Sequence, residues 1–298
     1  GQGSQYVGMG ADIPQLYEPA LAPWELARAD LLNADRDLHD VVWPKTAFSE
    51  EDRAAQAAEL TKTEWAQPGI GAHSLSLLAI VRSLGVAPVA VGGHSFGEVS
   101  ALCAAGVISD DVALLIARAR GALMAQAAAS SDGAMCAVTA PAEQVSRLLG
   151  EWGLSVVIAN HNAPNQVVLS GDSAAIADAA QRFSAAGMNA RLLDVATAFH
   201  SEIVSSAAAP FASYLAGIPF GVPQVPVYAN ATAQPYFGSA EAMQATLANQ
   251  IAQPVRFVEQ VQAMWSAGAR TFVEVGPGSV LTNLVGKCLT GQDHVAVS

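Results

Sequence analysis

The most reactive pattern in the sequence is a serine between two glycines, Gly93-His94-Ser95-Phe96-Gly97. It matches the G-x-S-x-G turn, which exposes a serine hydroxyl between a strand and the N-terminus of a helix. The apolar segment 86–91 predicts the strand, and segment 98–105 predicts the helix. Such a strained turn leaves no room for a Cβ on either side of the serine. The pattern therefore favours Ser95 as a nucleophile over a plain turn of small residues.

A nucleophilic serine needs a base. The chain has six histidines: His39, His73, His94, His161, His200 and His294. His94 adjoins the serine, so its side chain would point away along an extended segment, and a structural role is expected. The histidines at 39 and 294 stand in polar segments and are expected to be solvated; those at 73 and 161 lie in a helical stretch and an asparagine-rich loop. His200 follows the last strand of a predicted inserted unit, and its position makes it a slight favourite.

The elements around these residues are typical of an α/β protein, because short β-branched runs alternate with alanine-rich segments of helical spacing. Segment 133–195 predicts the order β-α-β-β-α-β of a ferredoxin-like unit. Its strands are expected at 134–138, 155–159, 166–170 and 190–193, and its helices at 142–152 and 174–186. We predict a ferredoxin-like small subdomain, residues 129–198, inserted into an α/β-hydrolase-like large subdomain formed by residues 1–128 and 199–298.

The predicted elements of the large subdomain flank this insertion. A helix capped at Ser109 is expected to run to about residue 127. After the insertion, strands are predicted at 225–229 and 271–275, and helices at 240–251 and 257–268 and at the end of the chain.

Composition narrows the class of protein. Apolar residues make up 52% of the 298 and charged residues 13%, against about 25% charged in typical soluble domains. A chain this apolar can bury a large core, which excludes intrinsic disorder. The net charge of −12, without a basic run, argues against nucleic acid and anionic membranes as partners. No apolar stretch is expected to reach the ~20 residues that span a bilayer.

The remaining sequence features favour a cytoplasmic protein without a metal site. Cys103, Cys136 and Cys288 are isolated, which favours buried reduced thiols over a disulfide or a metal site. Neither a cluster of metal-ligating residues nor a glycine-rich phosphate loop is found in the sequence.

Four spaced motifs resemble, in the same order, those of malonyl-CoA:acyl carrier protein transacylases and of the acyltransferase domains of type I polyketide and fatty acid synthases. They are Gly1-Gln2-Gly3-Ser4-Gln5, the turn at 93–98, Ala198-Phe199-His200-Ser201 and the segment 273–278. The start, without the strand that leads into Gly-Gln-Gly in the family, would fit a domain cut from a megasynthase. The turn and the segment 197–200 are most similar to iterative synthases of the enediyne or polyunsaturated-fatty-acid kind.

The resemblance implies a role for each motif residue. Ser95 would take the acyl group, with His200 as its base. Gln2 and the backbone N–H of Phe96 would form the oxyanion hole, and the main-chain carbonyl of Gln250 would orient the histidine. No cofactor is implied, because malonyl-CoA is a substrate; the implied partners are an acyl carrier protein and the ketosynthase domains of the same synthase. Without the resemblance, the two glutamines would be ordinary capping or surface residues.

Two arginines lie on the helix predicted after the turn. Helical spacing puts Arg120 at the border of the apolar stripe and Arg118 on the opposite flank, where it is expected to be solvated. The family's substrate-binding arginine follows the serine at the same distance as Arg120. A guanidinium fork matches a carboxylate in two parallel hydrogen bonds and would hold that of malonate.

Phe199 predicts the size of the acyl group. Family members that choose malonyl tend to carry Ala-Phe before the histidine, as Ala198-Phe199 does here, whereas Thr197 departs from the usual histidine. The resemblance therefore implies malonyl rather than methylmalonyl.

The sequence leaves two roles open for several polar residues. Asn160, Asn162 and Gln166 resemble a family segment near the cleft, and a solvent-exposed turn is as compatible. Gln67 is expected to line the site or to be structural, and segment 274–278 to be a structural turn.

Two other functions remain open at this point. A serine hydrolase or thioesterase would need an acid behind the histidine, and Asp194 could supply one. A degenerate scaffolding domain is the other alternative, against which the filled catalytic positions argue.

Overall fold

The structure is a computed structural model that describes residues 1–129, 132–193 and 198–298. The helices are α1 (Ile13–Leu16), α2 (Ala22–Glu25), α3 (Ala29–Leu32), α4 (Leu38–Val42), α5 (Glu50–Thr61), α6 (Thr63–Ser83), α7 (Gly97–Ala104), α8 (Asp110–Ala129), α9 (Ala142–Trp152), α10 (Ser173–Ala185), α11 (Ala208–Leu215), α12 (Ala240–Asn249), α13 (Phe257–Ser266) and α14 (Val280–Cys288). The strands are β1 (Val91–Gly92), β2 (Gly133–Thr139), β3 (Val157–Ala163), β4 (Gln166–Asp172), β5 (Asn189–Leu192), β6 (Val227–Tyr228), β7 (Thr271–Val273) and β8 (Val295–Val297). Short 3₁₀ segments lie at Glu18–Ala20, Glu202–Ala207 and Gln250–Ala252.

The inserted unit has the predicted element order. Its four antiparallel strands lie in the order β3-β4-β2-β5, and α9 and α10 connect them as a ferredoxin-like unit requires. Apolar side chains of both helices and of the central strands form a core of their own, in which Trp152 meets Phe183 edge-on. The bounds of the subdomains stay a prediction, since residues 130–131 and 194–197 are outside the described ranges.

The asparagine-rich segment expected to be a loop is part of a strand. β3 continues to Ala163 and turns into β4 at Pro164–Asn165. The extension has a second main-chain partner, because Val255 donates to the Ala159 carbonyl at 2.8 Å and accepts from the His161 N–H at 2.9 Å. This pairing with a segment almost a hundred residues away is not visible in the local sequence.

The large subdomain has parallel strands, as the α/β pattern predicts, but these strands are short. β1 pairs with β6, and β7 with β8. The predicted strand 86–91 is reduced to a pairing at Val91 and Gly92, and Pro88 cannot donate to a ladder. An apolar groove of about 520 Å³ lies between β1 and β7, lined by side chains of α6, α7 and α13.

Helices α6 and α8 form the centre of the larger core. Gly71 of α6 lets Phe96 and Leu114 approach, since a Cβ there would lie 3.2 and 3.3 Å from their side-chain atoms. Within the described residues, α8 is long and apolar enough to span a bilayer by length and composition, so the sequence expectation was wrong on that measure. Its buried residues, including Leu114 and Arg120, lie inside the fold, as in a core helix.

Candidate active site

The turn between β1 and α7 holds Ser95 in a left-handed conformation, with φ of +52°. This conformation is uncommon for a residue with a side chain and is found where a tight turn must expose one. Gly93 is sterically required, because a Cβ there would lie 2.0 Å from the main-chain carbon of Gly97. Nothing lies within 4 Å of a Cβ at Gly97 itself, so the expectation that both glycines are needed for space was wrong for the second.

Ser95 and His200 are in contact. The serine Oγ lies 2.7 Å from Nε2 of the imidazole, and the ring is buried. Nδ1 faces two main-chain carbonyls, 3.1 Å from Gln250 O and 2.9 Å from Gln253 O. Because carbonyls can only accept, Nδ1 carries the proton and Nε2 presents a lone pair to the serine hydroxyl.

Burial lowers the pKa of His200 to about 3, and the positive charge of Arg120 acts in the same direction. The imidazole is therefore neutral near neutral pH, which is the state that can accept a proton. The carbonyl of Gln250 was predicted from the resemblance, whereas Gln253 was missed. Asp194, the acid considered for a hydrolase triad, lies outside the described residues.

Two main-chain N–H groups could bind an anion: that of Phe96, directly after the serine, and that of Gln2, at the start of the chain. Among the described residues, neither Phe96 N–H nor Gln2 N–H has a hydrogen-bond partner. The side chain of Gln2 is bonded elsewhere, since its Nε2 donates to Thr63 Oγ1 at 3.1 Å. The start of the chain lies against the turn, because a Cβ on Gly1 would be 3.0 Å from the His94 carbonyl oxygen. Any contribution of Gln2 to an oxyanion hole would therefore come from its backbone.

Arg120 is buried beside this pair, with 1% of its surface exposed. One Nη2–H donates to the side-chain oxygen of Gln250 at 2.8 Å, and Nε has no partner among the described residues. Burial lowers its pKa to about 10, opposed by the nearby Glu98, so the guanidinium remains charged at neutral pH. A buried cation with an unpaired donor is suited to bind a carboxylate.

Arg118 is half-buried, whereas a solvated side chain was predicted. Its guanidinium stacks on Trp65, 4.3 Å from the ring centroid, and donates to the Glu64 carbonyl at 2.8 Å. The helical spacing placed it on the opposite flank of the apolar stripe from Arg120, and there it covers an aromatic ring.

A buried polar network lies below the serine. Glu98 is fully buried; it accepts from the Tyr236 hydroxyl and from Nε2 of Gln250, and burial raises its pKa. Gln250 Nε2 also donates to the Ser95 carbonyl at 2.7 Å. Asn230, two residues after β6, joins this network and was missed. Its signal was available: functional side chains gather at the carboxyl ends of parallel strands.

The other predicted positions have mixed outcomes. Phe199 is 8% exposed and packs in the large core. Gln67 is buried, with Nε2 3.6 Å from Met124 Sδ. Asn162 Oδ1 lies 2.7 Å from Nε2 of His94, so that histidine is tied to β3 and points away from the serine, as expected.

Gln166 and Asn160, expected either near the cleft or in an exposed turn, lie in β4 and β3. Gln166 accepts from Lys287 at 3.3 Å, and Asn160 is buried where β3 meets Val255. Glu274 has the structural role predicted for its turn, because its carboxylate caps α14 by accepting from the N–H of Thr282 at 2.7 Å.

Cysteines and metal-ligating side chains form no second centre in the part of the chain that the structure describes. Cys103, Cys136 and Cys288 are free and buried. Within the same ranges, no group of three His, Cys, Asp or Glu residues is arranged to hold a metal ion.

Comparison with known proteins places this geometry in a family. The acyl transferase domain family matches residues 1–297. The chain is 34% identical over 303 residues to the malonyl CoA-acyl carrier protein transacylase of Bacillus subtilis, covering 100% of this chain and 91% of that protein. It is 37% identical to a phenolphthiocerol synthesis polyketide synthase type I of Mycobacterium bovis, but spans only 13% of that much longer protein.

Solved structures give the same result. The malonyl-transacylase of a type II polyketide synthase, solved in complex with its acyl-carrier protein, has a TM-score of 0.88 at 34% identity, covering 100% of this chain and 93% of that one. The acyl-carrier-protein S-malonyltransferase of Bartonella henselae has a TM-score of 0.85 at 32% identity, covering 100% and 92%. The fold that holds the serine turn and its buried histidine is thus that of these enzymes, and this chain belongs to the acyl transferase domain family.

Proposed function

We propose that this chain transfers a malonyl group from malonyl-CoA to the phosphopantetheine thiol of an acyl carrier protein, through an ester on Ser95. The observation that carries the proposal is the 2.7 Å contact between Ser95 Oγ and His200 Nε2, made beside the buried Arg120. The similarity to malonyl transacylases over the whole chain supports it.

In the first half-reaction, His200 Nε2 takes the proton from Ser95 Oγ as the oxygen attacks the thioester carbonyl. The N–H groups of Phe96 and Gln2 would bind the resulting oxyanion. When the tetrahedral intermediate collapses, the C–S bond breaks and the leaving CoA thiolate takes the proton from His200. In the second half-reaction, the carrier thiol gives its proton to His200 and attacks the ester, and Ser95 Oγ leaves and recovers the proton.

The cation at Arg120 would select the acyl group. Malonate carries a carboxylate that must leave water to enter the site, and a buried guanidinium with an unpaired N–H offsets that loss. The proposed reaction needs no cofactor, because each step exchanges an acyl group between two nucleophiles and consumes neither redox equivalents nor ATP.

The parent and the location are also proposals. The chain covers 91% of the length of a free-standing transacylase, but only 13% of the length of a polyketide synthase. We propose an acyltransferase domain of a polyketide synthase, working with the synthase's ketosynthase and carrier; the iterative subtype stays a prediction. A cytoplasmic location is supported by the three free, buried cysteines.

The test is acylation of the purified protein by malonyl-CoA, followed by intact-mass spectrometry. The native protein should gain one malonyl group, Ser95→Ala none, and His200→Ala should gain it much more slowly while keeping the native melting temperature. A full adduct on Ser95→Ala would contradict the proposal. Product analysis with and without a carrier protein separates transfer from hydrolysis, because a hydrolase would release malonate at the same rate in both.

Phe199 predicts a preference for malonyl over methylmalonyl. Its nearly buried ring beside the histidine would clash with a methyl branch, and overpacking costs ~1–3 kcal/mol, roughly 10- to 100-fold in selectivity. Competition between the two CoA esters measures the ratio, and Phe199→Ser should narrow it. Equal loading of the native protein with both esters would refute the assignment.

A further inference from the structure

The side chain of Asn230, which follows β6, forms two hydrogen bonds with the main chain around Ser95. Asn230 Oδ1 accepts from the Ser95 N–H at 2.6 Å, and Asn230 Nδ2 donates to the Gly93 carbonyl at 2.6 Å. Because an N–H can only donate and a carbonyl can only accept, these two partners allow a single orientation of the amide. The amide therefore spans His94 and fixes the peptide plane that leads into Ser95, the residue with positive φ.

Asn230 is itself held rigidly. It is fully buried; its N–H donates to Glu98 Oε2 at 2.9 Å, and its Nδ2 donates to Gln260 Oε1 at 2.6 Å. Glu98 belongs to the first turn of α7, directly after the serine turn. The carboxylate, the asparagine and the serine turn thus form a closed ring of hydrogen bonds between α7 and the end of β6.

The conformation of Ser95 controls two parts of the proposed chemistry at once. Its φ sets where Oγ lies relative to His200 Nε2, and its ψ sets the direction of the Phe96 N–H that follows. A sparsely populated conformation persists only where its surroundings fix it. No bond from the Asn230 side chain reaches Arg120 among the described contacts, so carboxylate binding does not depend on it directly.

We propose that Asn230 is a positioning residue that holds Ser95 in its left-handed conformation, so that the nucleophile and the oxyanion-binding N–H of Phe96 are aligned together. The inference rests on the proposed function for the identity of the acyl group, but not for the alignment of the serine.

The test compares Asn230→Ala and Asn230→Asp with the native protein, and Asn189→Ala, an exposed asparagine of β5, is the matched control. Two reagents report on Ser95: malonyl-CoA, and phenylmethanesulfonyl fluoride, from which the serine displaces fluoride whatever the natural acyl group. Single-turnover labelling, followed by intact mass, gives both the rate constant and the labelled fraction.

We expect Asn230→Ala to lower the acylation rate constant about 100-fold, the size of effect seen when an oxyanion donor is lost. The half-saturating concentration of malonyl-CoA should change less than threefold. A residue that only supports folding would lower the labelled fraction and leave the rate constant of the folded molecules unchanged. That result would overturn the inference.

Asn230→Asp tests the positioning role even if the alanine variant does not fold. A protonated carboxyl keeps an acceptor for Ser95 N–H and restores a donor to Gly93 O, whereas a carboxylate repels that carbonyl. The ratio of variant to native rate should therefore rise as the pH falls from 8 to 5. Glu98 and Tyr236 adjoin this position and Arg120 acts on Glu98, so a carboxyl at 230 titrates as a pair with Glu98. A carboxylate at 230 disfavours ionisation of Glu98, so the pair also binds more protons as the pH falls, in the direction of the expected rise. A ratio that is flat with pH would overturn the inference.

Failure of the proposed function has a different signature. A native protein that reacts with the sulfonyl fluoride but not with malonyl-CoA would refute malonyl transfer. The sulfonyl fluoride rates of the two Asn230 variants would then decide the positioning role alone.

Discussion

At the Arg120 guanidinium, one N–H group is occupied by the protein and another is left for a ligand. Gln250 Oε1 accepts from Nη2, whereas Nε has no partner among the described residues. A buried donor without a partner destabilises a folded protein, and a ligand that pairs with Nε would remove that cost. The carboxylate of the acyl group has the charge and the geometry for this pairing.

Arg120→Ala should therefore change which acyl group is accepted. Malonyl loading should fall by about 100-fold or more, because the carboxylate loses the guanidinium that offsets its desolvation. Acetyl-CoA has no carboxylate, so its loading should fall little or rise as a buried charge is removed. Parallel acylation assays with the two CoA esters measure the ratio. Equal loss with both esters would make Arg120 structural.

Arg118→Ala is the control on the same helix. Its guanidinium lies on Trp65 and not at the serine, so the malonyl-to-acetyl ratio should stay unchanged. The lost stacking should lower the free energy of unfolding by about 0.5–2 kcal/mol.

At the scale of elements, the serine turn depends on one of its two glycines. Gly93→Ala would bring a Cβ to 2.0 Å from the main chain of Gly97, so the turn cannot close around it. We expect that variant to lose acylation and to melt at a lower temperature. Gly97→Ala places its Cβ in open space in the first turn of α7, where alanine is the better helix former, and should be as stable as the native protein or more so by about 0.5–1 kcal/mol. Melting curves and malonyl loading of both variants test this contrast, which native-like loading of Gly93→Ala would contradict.

The elements that could be predicted are those that local signals specify. α9 has the predicted bounds, Ala142–Trp152, and α7 ends before Gly106, whose φ is +76°. The helix capped at Ser109 was likewise predicted almost to its last residue. Strand bounds were less accurate, because β1 and β6 are limited by the two residues that pair between them and not by the apolar runs that contain them.

The same distinction holds in the site. Ser95 was identified from a contiguous pattern, and Arg120 from helical spacing together with the resemblance. Asn230 and Gln253 act through partners far along the chain, and Gln253 contributes only its carbonyl, which every residue has. Residue type carries no signal for a main-chain role such as that of Gln253, and only the fold brings that carbonyl to the histidine.

At the scale of the whole molecule, buried histidines link stability to pH. Burial lowers the pKa of His94 to about 4 and that of His200 to about 3, whereas both would titrate near 6.5 in the unfolded chain. Between these values the unfolded state binds more protons at these two sites than the folded state, so their contribution to the free energy of unfolding falls as the pH drops below about 6.5. The raised pKa of Glu98 acts in the opposite direction.

We expect a loss on the order of 1–2 kcal/mol for each of these two histidines between pH 7.5 and pH 5. Urea unfolding at the two pH values measures the loss, and His94→Gln should reduce it. His294→Gln is the comparison, because that ring bonds to the neighbouring Gln292 carbonyl near the surface and should leave the loss unchanged. An equal loss in His94→Gln and in the native protein would show that the buried His94 ring takes up a proton in the folded state as readily as in the unfolded chain.

The main-chain pairing of Val255 with β3 has a consequence for exchanging parts between relatives. A chimera that replaces residues 132–193 with those of a relative has two junctions in the chain, one at each end of the insertion. Val255 adds a third point of contact between host and donor, because its main chain is hydrogen-bonded to Ala159 and His161 inside the transplanted unit. Two residues earlier, the Gln253 carbonyl holds the imidazole of His200. A donor unit that pairs poorly with segment 253–255 would therefore displace the imidazole of His200, although His200 itself is unchanged. Residues 253–255 should be taken from the same relative as the inserted unit.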